Sequence, residues 1–227
     1  MEKLDYLVWR EDGVPIAEYR SLLLERAAPE IVDAPGVRSL TAYLADTDGD
    51  IPSPTLLMGR GYQLAGVVSL WIYSYDQRGP VEEALAEVSG SVDGYLVTES
   101  VPQARDRRDW ADGRQSPGIT HFTWFPRPDR LTEADFYRGW HEIHTPASAI
   151  LHPLRWSYVR DAAVRPITAD SPALGAIVFE SFRELRDYTD PNRLYGSAEA
   201  LAETMEHLPL YAYFEYLNSR PLHEVIV

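Results

Sequence analysis

The sequence predicts an α+β fold in which two tandem ferredoxin-like βαββαβ units pack together within one chain. Three observations predict it. Strand-like and helix-like segments follow the order βαββαβ twice. The two runs align at an offset of 118 residues, with Tyr19 on Tyr137, Arg20 on Arg138 and Pro35 on Pro153. Residues 67–75 and 176–182 are apolar almost throughout, as strands covered on both faces are. One βαββαβ unit places both helices on one face of its sheet and leaves the other bare. Packing the two bare faces against each other gives a barrel-like sandwich with helices outside.

The elements of the first repeat, residues 1–101, read in order. A strand spans 4–9. A helix spans 16–32, because Ile16, Tyr19, Leu22, Leu23, Ala27 and Ile31 recur at helical spacing. Pro15 suits its entry and Pro35-Gly36 its exit. A strand at 37–45 precedes a loop rich in Gly, Pro and Asp at 46–66. The unit ends with a strand at 67–75, a helix at 81–89 and a strand at 95–101. Residues 102–118, rich in Arg, Asp and Gly, read as a linker with solvated charges.

The second repeat, residues 119–227, opens with a strand at 119–125. Thr132 caps a helix that runs to about 150, with Asp135 three positions on. Strands follow at 154–162 and 174–182. A helix at 197–207 carries Ala198, Leu201, Ala202 and Met205 on one face, and the aromatic-rich residues 210–217 read as the closing strand.

Composition narrows the function. Lys and Arg total 21 against 35 Asp and Glu, a net charge of −14, which disfavours nucleic acid and anionic membranes as partners. There is no Cys, so disulfides, thiolate nucleophiles and Cys-based metal sites are excluded. Lys3 is the sole lysine and sits near the terminus, which argues against Schiff-base chemistry. The chain lacks G-x-S-x-G, G-x-G-x-x-G and P-loop patterns. Neither an export signal nor a membrane-spanning run is evident, and a cytoplasmic protein is expected.

Four of the six His residues, His121, His141, His144 and His152, fall between positions 121 and 152, so site chemistry belongs to the second half. His144 lies on the edge of the stripe Phe136, Trp140, Ile143 and Ala147. There it serves either as a general acid/base or as a core-edge residue satisfied by a backbone carbonyl. His121 lies mid-strand and shares a cavity with His144 only if its face looks toward the helices. Glu180 interrupts an apolar strand; it either orients His121 or pairs with Arg155 or Arg160. Trp124, Trp140, Trp156, Tyr158 and Tyr213 are candidates to wall a pocket for a flat apolar ligand. The spacing of His141 and His144 is not that of a zinc-binding HExxH helix, so no metal is expected.

The segment Phe136-Tyr137-Arg138-Gly139-Trp140-His141-Glu142-Ile143-His144-Thr145-Pro146, continuing through Leu154 to Tyr158, resembles the signature of EthD-type domains of the dimeric α/β-barrel superfamily. The first half departs from it, with Leu22 in place of Trp140 and Arg26 in place of His144. The resemblance implies an intramolecular dimeric α/β-barrel, monomeric or homodimeric, acting on a small hydrophobic, aromatic or polyketide-like substrate without a cofactor. His144, assisted by His121, Tyr158 or Glu180, would catalyse a lyase, cyclase or isomerase reaction. Phe136, Trp140, Trp124, Trp156 and Tyr213 would contact the substrate. A cofactor-free monooxygenase is the alternative. A haem protein, with iron held by a His of the second half, and a non-catalytic binding protein are further ones.

Overall fold

A computed structural model describes residues 1–46, 51 and 64–227; most of the loop expected at 46–66 lies outside the described residues. Eight strands form one closed barrel: β1 (Glu2–Trp9), β2 (Val37–Leu44), β3 (Leu64–Ile72), β4 (Ser91–Gln103), β5 (Ile119–Phe125), β6 (Arg155–Pro166), β7 (Ala176–Phe182) and β8 (Asn218–Ile226). Their order around the barrel is β1-β3-β2-β8-β5-β7-β6-β4, and neighbours are antiparallel. Residues up to 103 therefore contribute β4-β1-β3-β2, and residues from 119 contribute β6-β7-β5-β8.

The two four-stranded sets do not stack face to face as a sandwich. They join edge to edge at two seams. β2 meets β8 over the short register Thr41↔Ile226 to Leu44↔His223. β4 meets β6 from Tyr95↔Pro166 to Gln103↔Tyr158, with irregularities at Leu96/Val97 and Ser100/Gln103. Among the described residues, closure leaves no strand edge open for pairing with another chain.

Alternation along each strand sorts side chains between lumen and helix layer. On β1, Leu7 and Trp9 enter the lumen with Val67, Tyr95, Phe122, Trp124, Phe179 and Leu222. Leu4, Tyr6 and Val8 face outward, beneath Tyr19, Leu23, Ile31, Val81 and Leu85. Each such large apolar side chain contributes about 1.5–3 kcal/mol by leaving water. The lumen also holds charge. Lys3 is 5% exposed, and its ammonium contacts Asp161 at 2.6 Å and Glu99 at 2.5 Å. The lone lysine is thus engaged in ion pairs inside the barrel.

Outside the barrel, α1 runs through Ile16–Ser21, a π-helical turn at Leu22–Ala27 and Ala28–Asp33. α2 is Gly79–Ala86. α3 runs through Glu133–Tyr137, a π-helical turn at Arg138–His144 and Thr145–Leu151. Thr132 caps α3 by accepting from the Asp135 N–H at 3.1 Å. Three shorter helices follow: α4 (Leu185–Thr189), α5 (Pro191–Leu194) and α6 (Ala198–His207). Among the described residues no helix is long and apolar enough to cross a membrane.

Two expectations need correction. The closing strand is Asn218–Ile226, not 210–217. The alternating aromatics of 211–216 mimic a strand, but Tyr211 and Ala212 are buried under the helices while Phe214 and Tyr216 are exposed in a 3-10 turn. The true strand carries Pro221, which lies beyond the stretch of β8 that pairs with β2, so on that side its missing N–H costs no ladder bond. The segment 102–118 is not merely a solvated linker either. β4 extends to Gln103, Arg105 reaches Glu224 at 2.7 Å, and the Ser116 N–H donates to the Glu224 carbonyl at 2.8 Å.

Candidate active site between the second sheet and its helices

Three adjacent strands place three polar side chains in one row. His121 on β5 stands opposite Glu180 on β7, and Glu180 stands opposite Tyr158 on β6. Their neighbours Phe122, Phe179 and Val159 belong to the lumen cluster, so the row faces outward, toward α3 and α6. A cavity of about 100 Å³ lies there, lined by His121, Glu180 and Tyr158 from the sheet and by Trp140 and His144 from α3.

The π-helical turn explains how α3 presents those residues. A turn containing one extra residue advances the buried stripe by one position. Up to Trp140 the stripe follows α-helical spacing. Beyond it the buried positions are His144, Thr145, Ser148 and Leu151, while Ile143 is 40% exposed, contrary to the sequence reading. In the widened turn the Trp140 carbonyl accepts from the Thr145 N–H five residues on, and also from the Thr145 hydroxyl at 2.8 Å. Arg160 in turn donates to that hydroxyl at 2.6 Å. Above the sheet, Trp140 Nε1 donates to the Tyr158 hydroxyl at 3.3 Å. His144 is 8% exposed, packs on Tyr211 with ring centroids 4.7 Å apart, and leaves Nδ1 without a hydrogen-bond partner.

Glu180 pairs with Arg155 rather than Arg160, at 2.6 Å between Nη1 and Oε1. Burial alone would raise its carboxyl pKa. The attraction of Arg155, then of His152 and His121, outweighs burial and brings it down to about 2. Burial lowers both His121 and His144 to about 4, against a partial opposing pull from Glu180. The pocket therefore holds one ionised carboxylate and neutral imidazoles at pH 7. The phenols of Tyr158, Tyr195 and Tyr211 are all pushed up by burial and stay protonated.

Sequence reasoning gave no role to His152, Tyr195 or Tyr211, which also line the cavity. His152 closes α3; its Nδ1 lies 3.0 Å from the Leu194 carbonyl. A carbonyl only accepts, so Nδ1 carries the proton and Nε2 the lone pair. The clustering of His residues was the signal for His152. Tyr211 was hidden in the segment mistaken for a strand.

Four expected wall residues are not assembled here. Phe136 packs behind the cavity against Phe125 and Trp140. Trp124 points into the barrel lumen, beside a separate cavity of about 340 Å³. Trp156 stacks with Trp110 and Arg105 at the barrel end. Tyr213 packs on Tyr216 and Arg130. Each belongs to another surface because strand parity or an irregular turn directs it there. In the first half, Arg26 occupies the position of His144 and turns to solvent, pairing with Glu87.

Glu180, the one carboxylate that lines the cavity, is held by Arg155 behind it. Among the described residues no group of three or more His, Asp or Glu side chains converges on a metal position. His141 instead stacks on Trp140 and Tyr137.

No family model and no curated protein matches the chain. Solved structures do. An anthrone oxidase-like protein superposes with a TM-score of 0.62 at 13% identity, covering 99% of this chain and 90% of that one. A Lactobacillus acidophilus protein assigned as a monooxygenase gives 0.52 at 11% identity, covering 100% and 94%. A chlorite dismutase variant from Candidatus Nitrospira defluvii gives 0.52 at 9% identity, covering 98% and 90%. At such identities the likeness establishes the fold alone, a closed antiparallel eight-stranded barrel with helices outside.

Proposed function

We propose that this dimeric α/β-barrel chain is a cofactor-independent enzyme that moves a proton on a small hydrophobic substrate bound between the second sheet and α3. The observation that carries the reading is the convergence of neutral imidazoles and one ionised carboxylate in a largely apolar cavity. His144 accepts a proton from a carbon or hydroxyl acid through its unpartnered nitrogen. Glu180 remains ionised and stabilises the imidazolium that forms, as a buried carboxylate does beside a catalytic histidine. Tyr158 and His121 hydrogen-bond the substrate oxygen, and Trp140 closes the wall. The resulting enolate or phenolate proceeds by isomerisation, cyclisation or elimination, reactions that need only acid/base groups.

The chain is further read as an EthD-like tandem repeat. Supporting this are the shared strand order of the two halves and the π-helical turn that each carries in its first helix. The substrate is read as aromatic or polyketide-like, because the walls include Phe125, Trp140, Tyr158 and Tyr211.

A cofactor-free oxygenase fits equally well and is favoured by the names of two structural neighbours, an oxidase and a monooxygenase. In that reading the enolate is the electron donor and O₂ the acceptor.

The test uses enolisable aromatic ketones and phenols in D₂O. Deuterium incorporation at the acidic carbon is followed by NMR, and dissolved O₂ by an electrode. Exchange that falls ~10²–10⁴-fold in His144→Ala supports the proton-transfer reading. Consumption of O₂ selects the oxygenase. Equal exchange by wild type and His144→Ala, with no O₂ uptake, sinks both.

A further inference from the structure

Glu180 and Arg155 belong to the second half of the chain, but the residue that fixes Arg155 does not. Gln103 is the last residue of β4, in the first half, and its strand partner across the seam is Tyr158. The register slips between Ser100 and Gln103, and such an irregularity re-aims a side chain at a strand end. The Gln103 amide then grips Arg155 at two points. Its Oε1 accepts from Arg155 Nε at 3.1 Å, and its Nε2 donates to the Arg155 carbonyl at 2.5 Å.

That grip orients the rest of the guanidinium. Arg155 Nη1 donates to Glu180 Oε1 at 2.6 Å and to the Ser148 hydroxyl of α3 at 3.2 Å, and its Cζ lies 4.3 Å from the Tyr158 ring centroid. The side chain is 1% exposed, so no water competes for these donors. One buried cation thus touches β4, β7 and α3, and its orientation relative to Glu180 depends on a first-half amide. Gln103 also borders a lumen cavity of about 230 Å³, so it stands between the barrel interior and the candidate active site.

We propose that Gln103 is a positioning residue contributed by the first half: it holds the Arg155 guanidinium on Glu180 and so sets the electrostatic field felt by the pocket histidines. Its relevance to catalysis rests on the reading of that pocket as the active site; the electrostatic link itself does not. The first half is then part of the site's machinery, not only the sheet that completes the barrel.

The geometry predicts different results for two substitutions. Gln103→Glu keeps the shape and the contact to Arg155 Nε, loses the donation to the Arg155 carbonyl, and adds a second anion on Arg155, which weakens its hold on Glu180 and adds negative charge near the imidazoles. Gln103→Leu removes both hydrogen bonds and leaves Arg155 Nε unpartnered. The groups facing Glu180 are Arg155, His121, His152, His144, Tyr158, Tyr195 and Tyr211, and only the imidazoles titrate between pH 3 and 8.

The experiment is an NMR titration of the imidazole ring protons of full-length wild type, Gln103→Glu and Gln103→Leu, each with a melting curve. The expected result is an upward shift of about 1 pH unit for His121 or His152 in Gln103→Glu, the size usual for a neighbouring charge. Gln103→Leu shifts the same residues less. If Gln103→Leu does not fold, the nearly isosteric Gln103→Glu decides alone. Unmoved titrations with a lowered melting point would show that Gln103 only seals the seam, and would overturn the proposal. The reading needs no substrate, so it stands or falls independently of the proton-transfer test above.

Discussion

Lys3 and Asp161 stand 158 positions apart in the chain, yet the ammonium and the carboxylate meet at 2.6 Å inside the barrel. Asp161 and the nearby Asp5 are fully buried, and neither Asp5 oxygen has a hydrogen-bond partner. One cation serves three carboxylates, with Glu99 the third.

Lys3→Met should therefore destabilise the protein by about 3–5 kcal/mol, the usual cost of removing one partner from a buried pair. Urea unfolding checks this. A midpoint equal to wild type would show that the lumen carboxylates need no cation.

The same cluster predicts a loss of stability at high pH. Burial first, and then the charge of Asp5, push the Asp161 carboxyl well above the usual range, against the pull of Lys3. A raised folded-state pKa stabilises fully below the unfolded value and is lost as pH rises through the folded one. Asp5→Asn removes the like charge, so its stability should fall less steeply from about pH 5 upward. Parallel urea-midpoint profiles for wild type and Asp5→Asn would refute the shared-charge account.

The histidines set the acid limb. His121 and His144 lie at about 4 in the folded chain, below the unfolded value of 6.5. A depressed pKa contributes stability above the unfolded value that is lost as pH falls toward the folded one. Stability should thus decline between pH 6.5 and 4, before most carboxylates titrate. In His121→Phe the decline should be shallower, as calorimetry across that interval would show. An unchanged slope would mean that His121 is not held neutral by burial.

Thr145→Val tests the widened turn of α3. It removes the hydroxyl that makes the second hydrogen bond to the Trp140 carbonyl and receives Arg160, while the Thr145 N–H still serves that carbonyl. Losing such a hydrogen bond costs about 0.5–1.5 kcal/mol, and more where the partner is charged, as Arg160 is. The near-ultraviolet dichroism of Trp140 should change together with the melting point. A lower melting point with an unchanged Trp140 signal would place the cost elsewhere.

Much of this was legible in the sequence. The strand order could be drawn from segment order, and His144, Trp140 and Tyr158 from one motif, because period and spacing survive in a linear text. His121 could be placed on a strand but not on a face, since parity says which residues share a side and not which side is covered. Ile143 was misplaced because a π-helical turn has no composition of its own; it shows only as a shifted stripe once Thr145 and Ser148 are seen to be buried. Gln103 and Arg155 meet across a seam, 52 residues apart, and no local pattern reports such a pairing.

The two seams also bear on how the chain is made. At the ~5–20 residues per second of protein synthesis, the interval between completing β4 and completing β8 lasts roughly 6–25 s. During it, the nascent first half has two unpaired edges, β2 and β4, and an uncovered lumen face. Such a half could dock with the same half of another nascent chain and trap both. Lys3, Asp5 and Glu99 lie on that face, so two such halves would bury two cations against four carboxylates. The charges that line the finished barrel thus act earlier as gatekeepers, penalising closure of one first half on another.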